Sequence, residues 1–263
     1  MADRRNLTQI LRAALLVLLR ALPLIVFVVA WELFVAGNQR RVFFFGQPSK
    51  ITEHFAERIM NGTLAVDAGA TLLEAAAGFV LGNVLGTVIG LALWYSKTVF
   101  SIARPYIIAL GSAPIFALAP LLIIWFGTGL FSKVMIAMLS TVFIALFQAY
   151  TGASEVSQDH LRLMQTFRAT KHQTFRKVVA PAAIVWVMSA FRMNVGFAIL
   201  GAFIGEFISS TKGLGHLILV SSGLFNISLV LCGVLSLTLI ALFLTWLVER
   251  FEAPLRRLVV RYL

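Results

Sequence analysis

The sequence is poor in charged residues and almost without cysteine. Only 13% of its 263 residues are Asp, Glu, Lys or Arg, about half the share found in soluble domains. So little polar surface cannot keep a chain of this size dispersed in water, which excludes a soluble protein. Cys232 is the sole cysteine, which excludes a fold built on disulfides. A hydrophobic content of 60% excludes a disordered chain as well.

The motifs of a self-contained enzyme are also absent. A phosphate-binding loop reads G-x-x-x-x-G-K-[ST], and the nearest approach, residues 127–133, lacks the glycine before the lysine. The histidines are scattered, so no metal site is expected; they stand at positions 54, 160, 172 and 216. No nucleophile elbow occurs. We therefore expect no catalytic residue, metal or cofactor in this chain, and any energy that it uses must come from another chain.

Long apolar stretches are what the chain has in abundance. A bilayer core of roughly 30 Å needs about 20 apolar residues in a helix. Six stretches approach that length, at residues 13–36, 72–95, 106–126, 133–151, 182–208 and 226–248. They predict an all-α integral membrane protein, a single transmembrane domain over residues 1–263 with six helices. The first stretch follows basic residues as a signal peptide does, but no small-x-small cleavage site follows it, which favours an uncleaved span.

The excess of positive charge is interpreted as topology. The chain has 22 Lys and Arg against 11 Asp and Glu, a net charge of +11. With six spans, fifteen of the basic residues fall on the side of the termini and six on the other side. The positive-inside rule then places both termini in the cytoplasm. Attraction to the anionic lipid bilayer accounts for the rest of the charge. No nucleic-acid partner is expected, because the sequence has no folded polar domain on which the basic residues are concentrated.

Two of the predicted spans have unusual local composition. The second carries glycines 78, 82, 86 and 90 at a spacing of four, which predicts close packing of a neighbouring helix rather than a binding site. The third contains Pro114 and Pro120, each of which removes a backbone donor. Either they only kink the helix, or they break it beside a transport pathway. In the second case Ser112 and Phe116, which flank the break, face that pathway.

Arg192 and Glu206 are the costly residues of the fifth span, because both lie within an apolar helix. Fourteen residues separate them, roughly 21 Å along a helix, so they cannot pair with each other. Arg192 meets either an anionic solute or a structural partner. Glu206 has either a gating or structural hydrogen-bonding role or a place on the pathway.

The polar segment 155–181 shows helical periodicity, with apolar positions that include Met164, Phe167 and Phe175. Thr170 followed by Gln173 forms a capping box, which predicts that a second short helix begins there. Pro181 is expected to open the next span. The segment is either an amphipathic helix on the lipid surface or a pair of helices that docks a soluble partner.

Residues 162–181 resemble the cytoplasmic motif shared by the inner-membrane permease subunits of type I ABC importers. That motif reads EAA, three variable residues, Gly, nine variable residues and Ile-x-Leu-Pro. With Pro181 at its end, residues 162–164 stand at EAA and Arg168 at Gly, followed by the small and hydroxyl residues Ala169 and Thr170. The spacing agrees, but the Glu and the Gly are replaced. The resemblance implies that this segment is the loop that couples the ATPase to the membrane helices. The candidate coupling residues are Arg162, Met164, Phe167, Arg168, Ala169, Thr170, Phe175 and Pro181.

The replacements in this motif have physical consequences. A helix-ending glycine usually takes a left-handed conformation, which costs a non-glycine residue about 1 kcal/mol. Arg168 must either accept that cost or turn differently. Arg162 reverses the charge where the motif has Glu. We therefore expect either an ATPase whose docking groove is more acidic than usual or an interface that has lost its function.

The resemblance extends over nearly the whole chain. Residues 119–133 are similar to the APLLIIWFGxGxxSK stretch of the nitrate/sulfonate/taurine/bicarbonate branch, and residues 191–192, 205–207 and 213–215 match its later segments. The branch implies a multi-pass protein of the bacterial inner membrane that acts as a homodimer. It also implies two cytoplasmic ATPase subunits, which bind the ATP and Mg, and an extracytoplasmic solute-binding protein. The pathway or gate residues would be Ser112, Pro114, Phe116, Pro120, Arg192 and Glu206.

The predicted function is therefore a permease subunit of an ATP-driven importer for a small solute, with a small anion such as a sulfonate or nitrate-like oxyanion as the expected substrate. A single-chain channel or secondary transporter is the alternative, although it would usually show internal repeats or several buried charges. An integral-membrane enzyme would need several ionisable residues at one depth, whereas only Arg192 lies deep.

Overall fold

The computed structural model describes the backbone of residues 2–260 and the side chains of residues 19–252, and this part of the chain is helical without a strand. The helices are α1 Ala2–Val35, α2 Gln39–Phe45, α3 Pro48–Met60, α4 Thr63–Leu93, α5 Lys97–Gly111, α6 Ile115–Phe126, α7 Leu130–Ser154, α8 Gln158–Thr166, α9 Lys171–Thr174, α10 Ala180–Ile208, α11 Leu214–Gly223 and α12 Ile227–Val260. A π-helical turn, Phe175–Val179, joins α9 to α10.

Among the described residues, four helical segments are long and apolar enough to cross a membrane, or five if a bent pair counts as one span. The four are Thr63–Leu93, Leu130–Ser154, Lys171–Ile208 and Ile227–Glu252. They correspond to the second, fourth, fifth and sixth predicted spans. The first predicted span, residues 13–36, falls in α1, where the side chains before residue 19 lie outside the described residues, so the count of six stays a prediction.

The glycines of α4 form its contact with α7. A Cβ atom on Gly78 would lie 2.3 Å from the Ala137 Cβ, and one on Gly86 would lie 2.3 Å from the Val142 carbonyl oxygen. The two helices run parallel at this contact, with backbones closer than any side chain on α4 would permit. This confirms the packing interpretation of the glycine spacing. Helix α10 packs antiparallel on α7, where Gly201 meets the Ala137 backbone, and it also contacts α4 directly, since the Asn194 amide donates to Asn83 Oδ1.

The third predicted span is not one continuous helix. Helices α5 and α6 are separated by a break at residues 112–114 and are bent by 91° with respect to each other. Pro114 is the N-cap residue of α6, whereas Pro120 lies inside α6 without ending it. Pro114 therefore lies at the break, whereas Pro120 is accommodated within α6.

The fifth span begins earlier than predicted. Helix α9, the π turn and α10 form one continuous helix over Lys171–Ile208, so Pro181 lies within a helix and does not open one. Proline lacks an N–H, and its ring clashes with the carbonyl four residues before it. The π turn relieves this clash because its backbone hydrogen bonds span five residues instead of four, as in the bond from the Ala180 N–H to the Phe175 carbonyl.

Candidate functional site

The coupling candidates and Glu206 lie at opposite ends of the helix bundle. The end that carries α8, α9 and the π turn is called the loop end. The other end, where α7 begins and α10 finishes, is called the far end. Because α10 continues from α9, a single helix connects the two ends.

At the loop end, α8 begins at Ser157, whose hydroxyl accepts the His160 N–H as an N-cap. The helix finishes in a Schellman motif: the Arg168 N–H donates to the Gln165 carbonyl at 2.8 Å, and the Ala169 N–H donates to the Met164 carbonyl at 3.0 Å. Arg168 has a φ of 50°, the left-handed conformation expected of the glycine that it replaces. The arginine thus accepts the backbone cost and keeps the shape of the motif.

Replacing Arg168 with glycine should stabilise this turn by about 1 kcal/mol, because glycine adopts positive φ without the Cβ clash. The matched change Arg162→Gly, within α8, should cost about 1 kcal/mol, because glycine is a poor residue in a helix interior. Hydrogen–deuterium exchange of residues 158–170 in the purified chain measures both effects. Faster exchange of the turn in the Arg168→Gly protein would contradict the assignment of strain to Arg168.

The second half of segment 155–181, which contains α9 and the π turn, contacts the residues that follow α4. The Phe175 ring lies 5.5 Å from the Trp94 ring and 4.9 Å from the Tyr95 ring, measured between centroids. Lys171 donates from Nζ to the Tyr95 carbonyl oxygen. The capping box at Thr170 and Gln173 is present as predicted. Phe175 is half-buried in its own chain, where the aromatic pair that follows α4 covers it, and its role in coupling stays a prediction.

Part of the exposed surface at the loop end is apolar and lies beside positive charge. Phe167 is 73% exposed and Leu163 is 53% exposed. Arg162 and Arg168 are exposed beside them. We call these four residues the docking ridge. Among the other coupling candidates, Met164 and Ala169 are half-buried and Thr170 is exposed, and Pro181 lies away from the ridge in the continuous helix.

At the far end, Glu206 is completely buried and holds together three segments. Its carboxylate accepts the Thr71 hydroxyl at 2.7 Å and the Gly215 N–H at 2.7 Å. Thr71 in turn accepts the Leu214 N–H at 3.0 Å. These bonds fix the start of α11 between α4 and α10. Of the two roles left open by the sequence, the structure places Glu206 in a structural network.

Thr71→Val should destabilise the folded chain by about 1–3 kcal/mol, because it leaves the buried Glu206 oxygen and Leu214 N–H without their shared partner. Thr87→Val is the matched control on the same helix: the Thr87 hydroxyl is buried and has no partner among the described residues, so its loss should cost nothing. Thermal unfolding of the two purified variants compares them. Equal destabilisation would show that valine at any α4 threonine is harmful and would contradict the network.

Two functional candidates at the far end were missed by sequence reasoning. Glu74 is 1% exposed and Lys133 is 5% exposed, and the Lys133 Nζ lies 3.6 Å from a Glu74 carboxylate oxygen. Lys133 also donates to the Ser210 hydroxyl at 2.9 Å. Each of the two charges stands near the end of an apolar stretch, which made it resemble an ordinary flanking charge. Only the length of α4, which begins at Thr63, brings Glu74 inside the bundle.

Arg192 has a protein partner. Its Nε donates to Glu252 Oε2 at 2.8 Å, with the Glu252 side chain 6% exposed and that of Arg192 48% exposed. Of the two alternatives for Arg192, the structure contains the structural ion pair. Glu252 lies beyond the sixth predicted span, near the end of α12, and no sequence pattern links the two residues.

The residues around the break between α5 and α6 lie on the surface of this chain. Phe116 is 55% exposed, and Ser112, Pro114 and Pro120 are exposed as well. Behind the break lies a mostly apolar cavity of about 540 Å³, walled by α7 and α10. The six pathway candidates are therefore not gathered at one place: Ser112, Pro114 and Phe116 lie at the break, Pro120 lies inside α6, Arg192 faces α12 and Glu206 is in the far-end network.

Comparison with known proteins identifies a family. Residues 82–257 match the model of the binding-protein-dependent transport system inner membrane component family. A putative aliphatic sulfonates transport permease protein of Bacillus subtilis is 30% identical over 65% of this chain and 62% of its own length. The riboflavin transport system permease protein of Chloroflexus aurantiacus is 30% identical over 91% of this chain and 88% of its own length. The chain thus spans less than two thirds of the first relative and most of the second.

The fold has a counterpart among solved structures. A chain of the MetNI methionine ABC transporter in an inward-facing conformation superposes with a TM-score of 0.64 over 72% of this chain and 94% of its own length. The two sequences are 16% identical, so the likeness shows a shared fold alone.

Proposed function

The chain belongs to the family of binding-protein-dependent transport system inner membrane components, and we propose that two copies of it form the solute pathway of an importer with both termini in the cytoplasm. It is a membrane-spanning ABC importer permease without catalytic activity, and the ATPase is a separate subunit. The proposed assembly contains this homodimer, two ATPase subunits that bind ATP and Mg, an extracytoplasmic binding protein and the lipid bilayer of the inner membrane.

The docking ridge is the observation that carries the proposal. An exposed phenylalanine beside a leucine, flanked by two arginines, has the composition of an interface anchor with a charged rim. The ridge stands at the end of α8, and the neighbouring α9 is attached to α4 through Phe175 and Lys171. A partner that displaces the ridge therefore acts on α4 and on the continuous helix through α10 at the same time.

This arrangement supports a mechanism in which ATPase closure moves helices as rigid bodies. Because α9, the π turn and α10 are continuous, displacement at the loop end reaches Glu206 and the start of α11 at the far end. A π turn is a weak point at which such a helix can bend. The ATPase supplies the energy, and this chain converts its movement into alternating access.

A small anion is the proposed solute. Lys133 and Lys212 stand together at one cavity of the far end, which would face the binding protein in the proposed orientation. The relatives' names include sulfonates and riboflavin, so family membership alone does not select an anion. The cavity lining, in which Lys133 and Lys212 stand against the one carboxylate of Glu74, is what supports it.

Co-purification and uptake test the proposed function together. The tagged chain, extracted gently from its native membrane, should elute with a nucleotide-binding subunit. Proteoliposomes containing that complex should accumulate solute only when ATP and a solute-loaded binding protein are both supplied. Solute flux by the chain alone, without ATP, would contradict the proposal and indicate a channel or secondary transporter instead.

A further inference from the structure

An apolar groove of about 740 Å³ lies at the far end, between the last turns of α1, helix α2 and the beginning of α12. Helix α1 lines it with Phe27, Ala30, Trp31 and Phe34. These four residues stand at spacings of three and four, so they share one face of α1. Phe44 and Phe45 line the groove from α2. Every residue of the lining is apolar, which distinguishes this groove from the charged cavity at the same end.

The walls of the groove are held in place by contacts of α2 on both sides. Toward α1, Arg41 Nη1 donates to the Phe34 carbonyl oxygen at 2.9 Å. The Phe34 and Phe45 rings also meet edge to face, with centroids 5.7 Å apart. Toward α12, the N–H of Gln47, directly after α2, donates to the Ser228 hydroxyl at 3.1 Å. The groove is therefore preformed by the fold of this chain.

An acyl chain is the group that the surroundings supply to this groove. An apolar cavity offers water no hydrogen-bond partners and excludes it. Helices α1 and α12 continue from the groove with apolar side chains on their surface: Leu24 is 66% exposed and Leu235 is 48% exposed. The volume of the groove is within the range of small-molecule sites. A lipid chain from the bilayer around α1 and α12 can therefore enter it from the side.

Two arginines provide positive charge beside the groove. The Arg41 guanidinium lies 4.7 Å from the centroid of the Phe34 ring, which is part of the lining, and Arg40 is exposed next to it. Neither arginine pairs with a carboxylate among the residues that the structure describes. Glu32, the acidic residue nearest in sequence, has its carboxylate engaged by the start of α3. An anionic group is thus the partner that this rim favours.

We propose that the groove binds an acyl chain of an anionic phospholipid and that Arg40 and Arg41 hold its headgroup. The lipid belongs to the leaflet at the far end. Arginine pairs with phosphate through two parallel hydrogen bonds, and the second arginine favours a headgroup with net negative charge over a zwitterionic one. The inference goes beyond the proposed function and does not depend on it, because groove and arginines are adjacent in either orientation of the chain.

Binding is tested by native mass spectrometry of the delipidated permease with its co-purified ATPase. The probes are phosphatidylglycerol, phosphatidylcholine with the same acyl chains, and glycerol phosphate, which has the anionic group without the chains. We expect one phosphatidylglycerol per permease copy, bound about fivefold or more tightly than phosphatidylcholine, and no binding of glycerol phosphate. Equal binding of the two lipids, or binding of glycerol phosphate alone, would overturn the proposal.

Replacement of the arginines locates the headgroup. Arg40→Gln combined with Arg41→Gln should weaken phosphatidylglycerol binding about 25-fold, about fivefold for each lost charge. If the double variant fails to fold, Arg40→Gln alone should still give the fivefold loss, since Arg40 lies outside the contact between Arg41 and Phe34. Lys50→Gln, an exposed lysine of α3 outside the lining, is the control. An equal loss in the Lys50→Gln protein would indicate general attraction of charge and no site.

Filling the groove locates the acyl chain. Ala30→Trp should weaken phosphatidylglycerol binding about tenfold or more, as displacement of two buried methylene groups would. Val29→Trp is the matched control, because Val29 is the preceding residue of α1, is 51% exposed and lies outside the lining. Equal effects of the two tryptophans would overturn the proposal. If Ala30→Trp left lipid binding intact but turned a dimeric permease into a monomer, a second copy of the chain would occupy the groove, which also overturns it.

Discussion

Replacing Gly86 with leucine should abolish the folded helix bundle. A Cβ at this position would lie 2.3 Å from the Val142 carbonyl oxygen, 2.8 Å from the Ala145 Cβ and 2.9 Å from the Leu146 backbone nitrogen. Two of these three atoms belong to the α7 backbone, which cannot rotate away as a side chain can. The helices must separate, and we expect a loss of more than about 3 kcal/mol, beyond ordinary overpacking.

Gly69→Leu is the matched control, because it introduces the same side chain on the same helix. Gly69 is exposed, and a Cβ there would meet no atom within 4 Å. Leucine at that position should be tolerated and should favour the helix by up to about 1 kcal/mol. Size-exclusion profiles and thermal unfolding in detergent compare the two proteins. A monodisperse, stable Gly86→Leu protein would show that α4 and α7 do not approach as described.

Replacing Phe167 with aspartate should remove ATPase association, with a loss in affinity of about 30-fold or more. The ring is 73% exposed, and central aromatic residues of an interface typically contribute at least about 2 kcal/mol. Aspartate would also place a charge in an apolar contact. The measurement is retention of the ATPase on the immobilised permease over a range of ATPase concentrations.

Phe167→Leu and Phe175→Asp complete this experiment. Leucine keeps an apolar group at position 167 and should retain most of the association. Aspartate at position 175 removes the ring from its contacts with Trp94 and Tyr95, so it should lower the melting temperature of the permease, whereas Phe167→Asp should not. If Phe167→Asp instead lowered stability and left association intact, the docking ridge would be wrongly placed.

The sequence was sufficient for features that depend on local patterns. The four-residue spacing of glycines predicted the α4–α7 contact, and the Thr170–Gln173 pair predicted the start of α9. Motif spacing placed Arg168 where a glycine belongs, and its φ of 50° agrees. Hydropathy located four of the spans, because an apolar stretch of sufficient length is itself the signal.

Features that depend on distant contacts were not predictable from these patterns. The Arg192–Glu252 pair joins residues 60 positions apart, and the Glu206–Thr71 bond joins residues 135 positions apart. The contacts of Phe175 with Trp94 and Tyr95 were not predictable, because periodicity gives an apolar face without indicating what covers it. The continuous helix through Pro181 was missed because a proline normally marks a helix start, and the π turn that accommodates it has no sequence signature.

Cross-linking from position 167 tests the central claim most directly. Cys232 is the sole cysteine of the chain and is completely buried, so Phe167→Cys places one accessible thiol on the docking ridge. The thiol is coupled to a maleimide–benzophenone, whose excited ketone inserts into a nearby C–H bond on illumination; in the native complex we expect one main product, the permease linked to the ATPase subunit. The same reagent should give no such product with the unmodified chain. Failure to form this product in a complex that still co-elutes with the ATPase would contradict the claim that the ridge is the contact through which the transporter is driven.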